Sequence, residues 1–346
     1  MHPVKTAVVG VGIWGEQHIR AYQAHPYAKL VAICDLNDGR LRETAKKYNV
    51  GTYYTHCDEM LRKADIDAVS IATPDFAHRE PAIACANAGK DIIIEKPLAT
   101  TVEDCESIMN AAKQNRIKLM VDFHCRWVLP FMQVKQSMEK GELGEPMHAF
   151  VRLSDTLFVP RKMLSWVANT NEAWFLGIHC IDLLRWILAD EVKRVFALSQ
   201  SKVLKGEGIN CPDYFQVLLE FRKGTSAMVE NSWLLPENSS PSLIDFRLEL
   251  FGSKGAVYVN AAQNSAIAKY TDQPSDQPYY AHPDMFFLPG TPGKPRGGAI
   301  EAIWHFVEVL SQDKEPAVSG KDGLEATKVV LAIEESVKRR LAVEVD

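Results

Sequence analysis

Apolar residues fall into two textures along this chain. From residue 4 to about 123, short apolar runs alternate with segments of helical periodicity. The runs are Ala7-Val8-Val9, Leu30 to Cys34, Ala68 to Ala72, Asp91 to Ile94 and Lys118 to Phe123, each with the length and composition of a buried parallel strand. Between them a helix is predicted from about Ala77 to Ala88, with Gly89 as a natural C-cap. Another begins at Thr101, where Thr101-x-x-Asp104 resembles a capping box. Strand and helix in alternation imply a doubly wound parallel sheet with right-handed crossovers.

After a helix from about Val128 to Lys140, closed by Gly141, the period shortens to two. Phe215, Val217, Leu219 and Phe221 alternate with more polar neighbours, Lys223-Gly224 turns the chain, and Ala227, Val229, Asn231 and Trp233 carry the pattern back. Phe246 to Phe251 and Ala256 to Asn260 flank a second turn at Ser253-Lys254-Gly255. Successive hairpins predict a mostly antiparallel sheet and an α+β second domain. Residues 271 to 298 hold six prolines and four glycines, an irregular excursion, and two helices close the chain, about Ala299 to Leu310 and Gly323 to Arg340. The expected division is a doubly wound α/β domain over 1–123 and an α+β domain over 124–346, whose closing helices can pack back on the first.

The first strand runs into Gly10-Val11-Gly12-Ile13-Trp14-Gly15, and Asp35 ends the second strand twenty residues on. Each glycine has its own reason: Gly10 permits the turn, Gly12 lets the backbone approach a pyrophosphate, and Gly15 lets helix and strand pack closely. The helix N-terminus, with Ile13 and Trp14, presents free N–H groups to phosphate. A carboxylate at Asp35 suits the ribose hydroxyls of NAD and repels the extra phosphate of NADP, and the nearest cation is Arg40. NAD is therefore favoured over NADP. The competing role for Asp35 is to cap the helix that begins near Asn37.

Ligands of open α/β sheets bind outside the carboxyl ends of the strands. That places Glu95-Lys96-Pro97 and Thr73-Pro74, with His78 a turn later, along the cofactor crevice. An ammonium at Lys96 beside a nicotinamide could stabilise charge developing on a substrate oxygen; a solvated surface lysine is the alternative. In the segment from Trp174 to Trp186, a continuous helix would set Phe175, His179, Asp182 and Trp186 on one face. There His179 could accept a hydroxyl proton, Asp182 orient it, and Gly177 clear room for a substrate. A buried helix with a satisfied histidine is the competing reading. Trp166 and Trp174 could stack on the apolar face of a ring or pack in the core.

Composition removes several function classes. A net charge of -5 over 346 residues, with signs interspersed, offers no basic stripe for nucleic acid or anionic membranes. No apolar run approaches membrane-spanning length, and the first strand begins too early to leave room for a signal peptide. Seven scattered cysteines without a CxxC pair read as reduced thiols in a cytoplasmic protein, and no His and Cys spacing suggests a metal.

Together GVGIWG at Gly10 to Gly15, ATPDFAH at Ala72 to His78, EKP at Glu95 to Pro97, GIHCIDLLRW at Gly177 to Trp186 and the closing Ser319-Gly320 with its helix resemble the Gfo/Idh/MocA family (glucose–fructose oxidoreductase, inositol dehydrogenase and relatives) over essentially the whole chain. The resemblance implies an N-terminal Rossmann domain and a C-terminal domain whose open antiparallel sheet makes dimer or tetramer contacts. It also implies hydride transfer between a nicotinamide and a sugar, polyol or related carbinol. Lys96 matches the family's catalytic lysine and His179 its proton-handling histidine. Glu95 matches a position that helps hold cofactor and lysine, and Arg126 one near the active site. Many members carry an aspartate four residues before the histidine, where this chain has Phe175; Asn171, Glu172 or Asp182 are the candidates to replace it. The departure motivates a second hypothesis, an NAD-binding regulatory or interaction protein that has lost catalysis.

Overall fold

The computed structural model describes residues 3–238, 244–261 and 295–346. Among these the chain divides into two compact units, one of residues 3–127 and 295–327, the other of residues 128–261 and 328–346. The Pro- and Gly-rich excursion predicted from residue 271 lies, up to residue 294, outside the described residues.

The first unit alternates β1 (Val4–Val9), α1 (Ile13–Ala24), β2 (Ala28–Cys34), α2 (Asp38–Lys47), β3 (Tyr53–Tyr54), α3 (Cys57–Lys63), β4 (Ala68–Ile71), α4 (Arg79–Asn87), β5 (Asp91–Glu95), α5 (Val102–Asn115) and β6 (Leu119–Asp122). The strands form one parallel sheet in the order β3-β2-β1-β4-β5-β6, the doubly wound arrangement expected from the sequence. Its central strands are buried on both faces, which is why they read as unbroken apolar runs: Ala7, Val8, Ala68, Val69, Ile71 and Ile92 to Ile94 are fully buried. Thr101 Oγ1 accepts from Asp104 N at 3.1 Å, the predicted cap of α5. The predicted helix at Ala77 starts later: Asp75–Ala77 is a separate 3-10 turn, and α4 follows, ending before Gly89 in the left-handed region.

The second unit contains α6 (Leu129–Glu139), β7 (Pro146–Thr156), α7 (Ile178–Leu188), β8 (Val192–Gln200), α8 (Val203–Gly206), β9 (Tyr214–Phe221), β10 (Ser226–Leu235), β11 (Ile244–Gly252) and β12 (Ala256–Asn260). After α9 (Gly298–Gln312), in the first unit, α10 (Gly320–Arg339) and β13 (Val343–Glu344) end the chain. The sheet order is β12-β11-β7-β10-β9-β8-β13, antiparallel except between β7 and β10. The two predicted hairpins are β9–β10 and β11–β12, and the alternate positions Phe215, Val217, Leu219, Phe221, Ala227, Val229, Asn231 and Trp233 are buried as the pattern requires. In the first unit α9 packs on α1, where Trp304 Nε1 donates to Ala21 O at 2.9 Å. Among the described residues no helix is long and apolar enough to cross a membrane.

Candidate active site

The β1–α1 junction is shaped by the absence of side chains. Gly10 has φ +86°, and a Cβ there would sit 2.5 Å from Ala72 O, so the turn admits only glycine. A Cβ on Gly15 would lie 1.8 Å from Gly10 O, because the helix leans on the strand end. Gly12 differs: a Cβ there would meet nothing within 4 Å, and this residue caps α1 with no side-chain hydrogen bond. The N-terminus of α1 thus has no side-chain cap, with Ile13 exposed and Trp14 stacked on His124 at 4.9 Å. Beside them Asp35 accepts from Val11 N at 2.9 Å and Asn37 N at 2.8 Å, with Arg40 Nη1 3.7 Å away. The cap of α2 is Asn37, which accepts from Arg40 N, so Asp35 is not that helix's cap.

Two other strand ends complete this unit's edge. His78 is buried between two carbonyls, Nδ1 2.7 Å from Pro97 O and Nε2 3.0 Å from Thr73 O. It thus ties the Thr73-Pro74 loop to the segment carrying Lys96. Burial lowers its pKa against the pull of the two carbonyls, and a neutral ring donates to one of them at a time. Lys96 is 8% exposed, and the Lys96–Pro97 peptide is cis. A buried lysine excludes the solvated-surface alternative. Glu95 and Asp122, paired in register at the ends of β5 and β6, flank His18 from α1, whose Nε2 is 3.1 Å from Glu95 Oε1 and 3.7 Å from Asp122 Oδ2. Burial would raise the Glu95 carboxyl, but the His18 hydrogen bond and the neighbouring His124 and Lys96 hold it below the ordinary value. Burial and Glu95 push Asp122 well up, and burial pushes His124 down to about 4. By residue type His18, Glu95 and Asp122 are also a set able to hold a metal ion, their ligand atoms lying within 4.8 Å of one another. Arg126 donates to Asp322 Oδ1 at 2.9 Å and Ala317 O at 3.3 Å, which fixes it to the first turn of α10 and the loop before it.

In the second unit the segment around His179 is not one continuous α-helix. Ala173–Gly177 is a π turn leading into α7, so the segment from Trp174 to Trp186 is not the continuous α-helix expected. His179 and Asp182 are buried on α7, with Arg185 Nη1 3.9 Å from Asp182 Oδ1. A Cβ on Gly177 would come 2.9 Å from Asn231 Oδ1, so the sheet already presses on this position. Asn171 caps the π turn through Ala173 N and its amide donates to Glu334 Oε1 at 2.7 Å, an oxygen that Trp174 Nε1 also reaches at 2.9 Å. Phe175 meets Trp166 and Trp233 edge-on, with ring centroids 6.3 and 6.0 Å apart. Glu172 is fully buried with neither carboxyl oxygen hydrogen-bonded among the described residues, and burial pushes its pKa well up. The structure thus gathers Gly10 to Gly15, Asp35, Thr73, Pro74, His78, Glu95, Lys96 and Arg126 in one unit. Trp166, Asn171, Trp174, Phe175, His179 and Asp182 lie in the other. Sequence patterns passed over His18, Asp122 and His124; the available signal was an acid or imidazole at a strand end or one turn into α1.

Residues 4–123 match the family described as "Oxidoreductase family, NAD-binding Rossmann fold", and residues 131–258 match the "GFO/IDH/MocA C-terminal domain". The chain belongs to the Gfo/Idh/MocA family. A myo-inositol 2-dehydrogenase of Thermotoga maritima is 27% identical over 347 residues, covering 99% of each chain. An inositol 2-dehydrogenase of Rhizobium meliloti is 28% identical, covering 98% of this chain and 99% of the relative. The solved scyllo-inositol dehydrogenase of Lactobacillus casei, with bound NAD(H) and scyllo-inositol, has a TM-score of 0.82 at 21% identity and 99% coverage of both chains, a likeness of fold.

This Gfo/Idh/MocA chain fits NAD at the residues that matter. The space at Gly12 and the uncapped α1 N-terminus accept a pyrophosphate, and Asp35 is already oriented by two backbone N–H groups to receive ribose hydroxyls. The chain is an NAD-dependent oxidoreductase of this family.

Proposed function

We propose that the protein oxidises a ring CH–OH of a cyclic polyol or sugar, with an inositol-like polyol the best-supported substrate class. The observation that carries this is Lys96, a buried lysine at the end of β5 in the same unit as the glycine turn and Asp35. The inositol dehydrogenases among the relatives support the substrate class. Residues 3–127 and 295–327 bind NAD in this reading, and the other unit recognises the substrate.

Bound NAD supplies the hydride acceptor. Lys96 donates a hydrogen bond to the substrate oxygen and stabilises the charge that develops on it, while His179 accepts the hydroxyl proton. Glu95 and His78 hold the segment that carries Lys96, through the next peptide and through Pro97 O respectively. Trp14, Thr73 and Pro74 line the nicotinamide side, and Arg126, Trp166, Trp174, Phe175 and Asp182 shape the substrate's surroundings. Phe175 in place of an aspartate makes that wall less polar; Asn171 is engaged with Glu334, which leaves Glu172 as the carboxyl best suited to compensate.

Lys96→Ala and His179→Ala are each expected to lower kcat by about a hundredfold or more, with the Kd for NAD in Lys96→Ala within about threefold of the parent. Reduced-nicotinamide absorbance over a panel of inositols and sugars, with NAD binding followed by calorimetry, measures both. Normal turnover in Lys96→Ala, or silence across the panel despite NAD binding, would defeat the assignment. We also place the protein in the cytoplasm as a homodimer or homotetramer assembled through its second sheet. The seven free cysteines support the compartment, and burial pushes the thiols of Cys34 and Cys180 up to about 12 and that of Cys105 to about 11.

A further inference from the structure

The proposed hydride transfer uses no thiol, yet the first unit sets two of them side by side. Cys57 opens α3, Cys85 lies on α4, and their Sγ atoms stand 4.0 Å apart. Of the seven cysteines Cys57 alone is not buried, whereas Cys85 is 0% exposed. The pair therefore has one sulfur within reach of solvent and a second sealed behind it. Cys34, at the end of β2, lies within electrostatic reach of both. Other thiols have partners of a different kind: Cys105 donates to Thr327 Oγ1, Cys211 to Thr170 O, and Cys180 receives the Asn231 amide.

A thiol reacts as its thiolate, so the two sulfurs of such a pair take different parts. The hydrogen bond from Cys85 holds the Cys57 thiol below its ordinary value, against burial and Asp58. The same bond, with burial, pushes Cys85 well up. The half-buried sulfur is thus the nucleophile and the sealed one keeps its proton. We propose that Cys57 and Cys85 are a modification site, at which hydrogen peroxide oxidises Cys57 and Cys85 then closes a reversible disulfide between α3 and α4. In the first step the Cys57 thiolate attacks a peroxide oxygen. An S–O bond forms, the O–O bond breaks, and the departing hydroxide takes up the proton the thiol released. Cys57 is then a sulfenic acid, oxidised by two electrons, and the peroxide is reduced by two. In the second step the Cys85 sulfur attacks the Cys57 sulfur, the S–S bond forms and the S–O bond breaks. Hydroxide leaves with the Cys85 proton as water, so two thiols and one peroxide give one disulfide and two waters. The sulfurs have about 2 Å to close. The element that bears Cys57 is short, seven residues, and its cap His56 makes no side-chain hydrogen bond. Attack by a cellular dithiol or glutathione returns both thiols. The link forms three residues beyond Tyr54, whose carbonyl accepts from Asp35 N at 3.2 Å, and so belongs to the unit that carries the cofactor turn.

The test treats the full-length protein with hydrogen peroxide in small molar excess, blocks the remaining thiols with N-ethylmaleimide, and maps the peptides by mass spectrometry without reductant. The parent is expected to yield the Cys57 peptide joined to the Cys85 peptide as its first oxidation product, and dithiothreitol to restore both thiols. Cys85→Ser keeps a donor beside Cys57 but cannot close the bond, so dimedone should label Cys57 there at least about tenfold more than in the parent. Cys57→Ser should abolish the link and leave the buried thiols reduced at the same dose. The proposal is overturned by a Cys57 that stays reduced while buried thiols oxidise, by one that stops at a sulfenic or sulfinic acid in the parent, by a link from Cys57 to Cys34 or to another molecule, or by a Cys85→Ser protein without the dimedone adduct. Should Cys85→Ser not fold, the parent and Cys57→Ser decide the matter, because the mapped link requires both sulfurs. None of these readouts involves turnover, so the fate of the proposed hydride transfer does not alter them.

Discussion

At His124 two influences oppose each other, and burial wins. The ring is stacked on Trp14 and almost wholly removed from water; Glu95 pulls its pKa up, yet burial carries it down to about 4. An unfolded histidine titrates near ~6.5, so between the two values the unfolded chain binds more protons than the folded one. Stability is then fully present above about pH 6.5 and falls as pH drops towards about 4. The loss attributable to this residue is about 2–3 kcal/mol between about pH 7 and pH 4.5. His124→Gln should remove it. Urea unfolding of parent and variant at both pH values gives the difference directly, and a gap between the two proteins that does not change with pH refutes the assignment of a neutral buried ring.

The β1–α1 junction makes its prediction as an element, because its glycines answer to different neighbours. At Gly15 the added methyl would collide with the backbone of Gly10, and neither strand end nor helix can yield cheaply. Gly15→Ala is expected to lose more than about 3 kcal/mol of stability or to be insoluble. Gly12→Ala meets no protein atom within 4 Å and keeps an ordinary φ of -71°, so it should melt within about 2 °C of the parent. It should nevertheless bind NAD at least about tenfold more weakly, since the methyl enters the space left for phosphate. Thermal melts with calorimetric NAD titration separate the cases, and a Gly12→Ala protein with unaltered affinity would remove that space from the cofactor site. This junction was legible in the sequence because its chemistry is local to six consecutive residues. So was the β9–β10 hairpin, where one face is buried and the alternation is clean. β8 escaped notice because Phe196 and Leu198 face out while Val195 and Ala197 face in, which erases the contrast between faces. β7 escaped because its buried end is Ser154-Asp155-Thr156. The continuous helix expected around His179 was interrupted by a π turn at Ala173–Gly177, which residue spacing cannot reveal. Lys96 was found from its place at a strand end, but Asp122 and His18 become its neighbours only through strand register and the seating of α1, which no local pattern encodes.

On the scale of the molecule, the sheet of the second unit presents one face that its own helices do not cover. Directly opposed residues share a face, and in register Phe196 lies opposite Leu218, Leu218 opposite Met228, and Met228 opposite Phe150. Further along the same row Glu249 stands between Phe150 and Tyr258. Leu218 is 52% exposed, Met228 49% and Tyr258 67%. Beside this apolar row Arg152 is held by Glu230 at 2.8 Å and Asp245 at 3.5 Å, so the adjacent charges are already neutralised within the chain. The apolar row Phe196, Leu218, Met228 and Phe150, beside an Arg152 already paired within the chain, suits a second copy of the same surface, which would meet row with row about a two-fold axis. That face is where the proposed homo-oligomer would assemble. Light scattering coupled to size exclusion should give a dimer or tetramer for the parent, and Leu218→Glu combined with Met228→Glu should give monomers that retain the far-ultraviolet circular dichroism of the parent. Like charges on both copies then face each other across a dry contact, a penalty of several kcal/mol on association. A monomeric parent removes the assembly altogether, whereas a doubly charged variant that stays oligomeric moves the interface to another face.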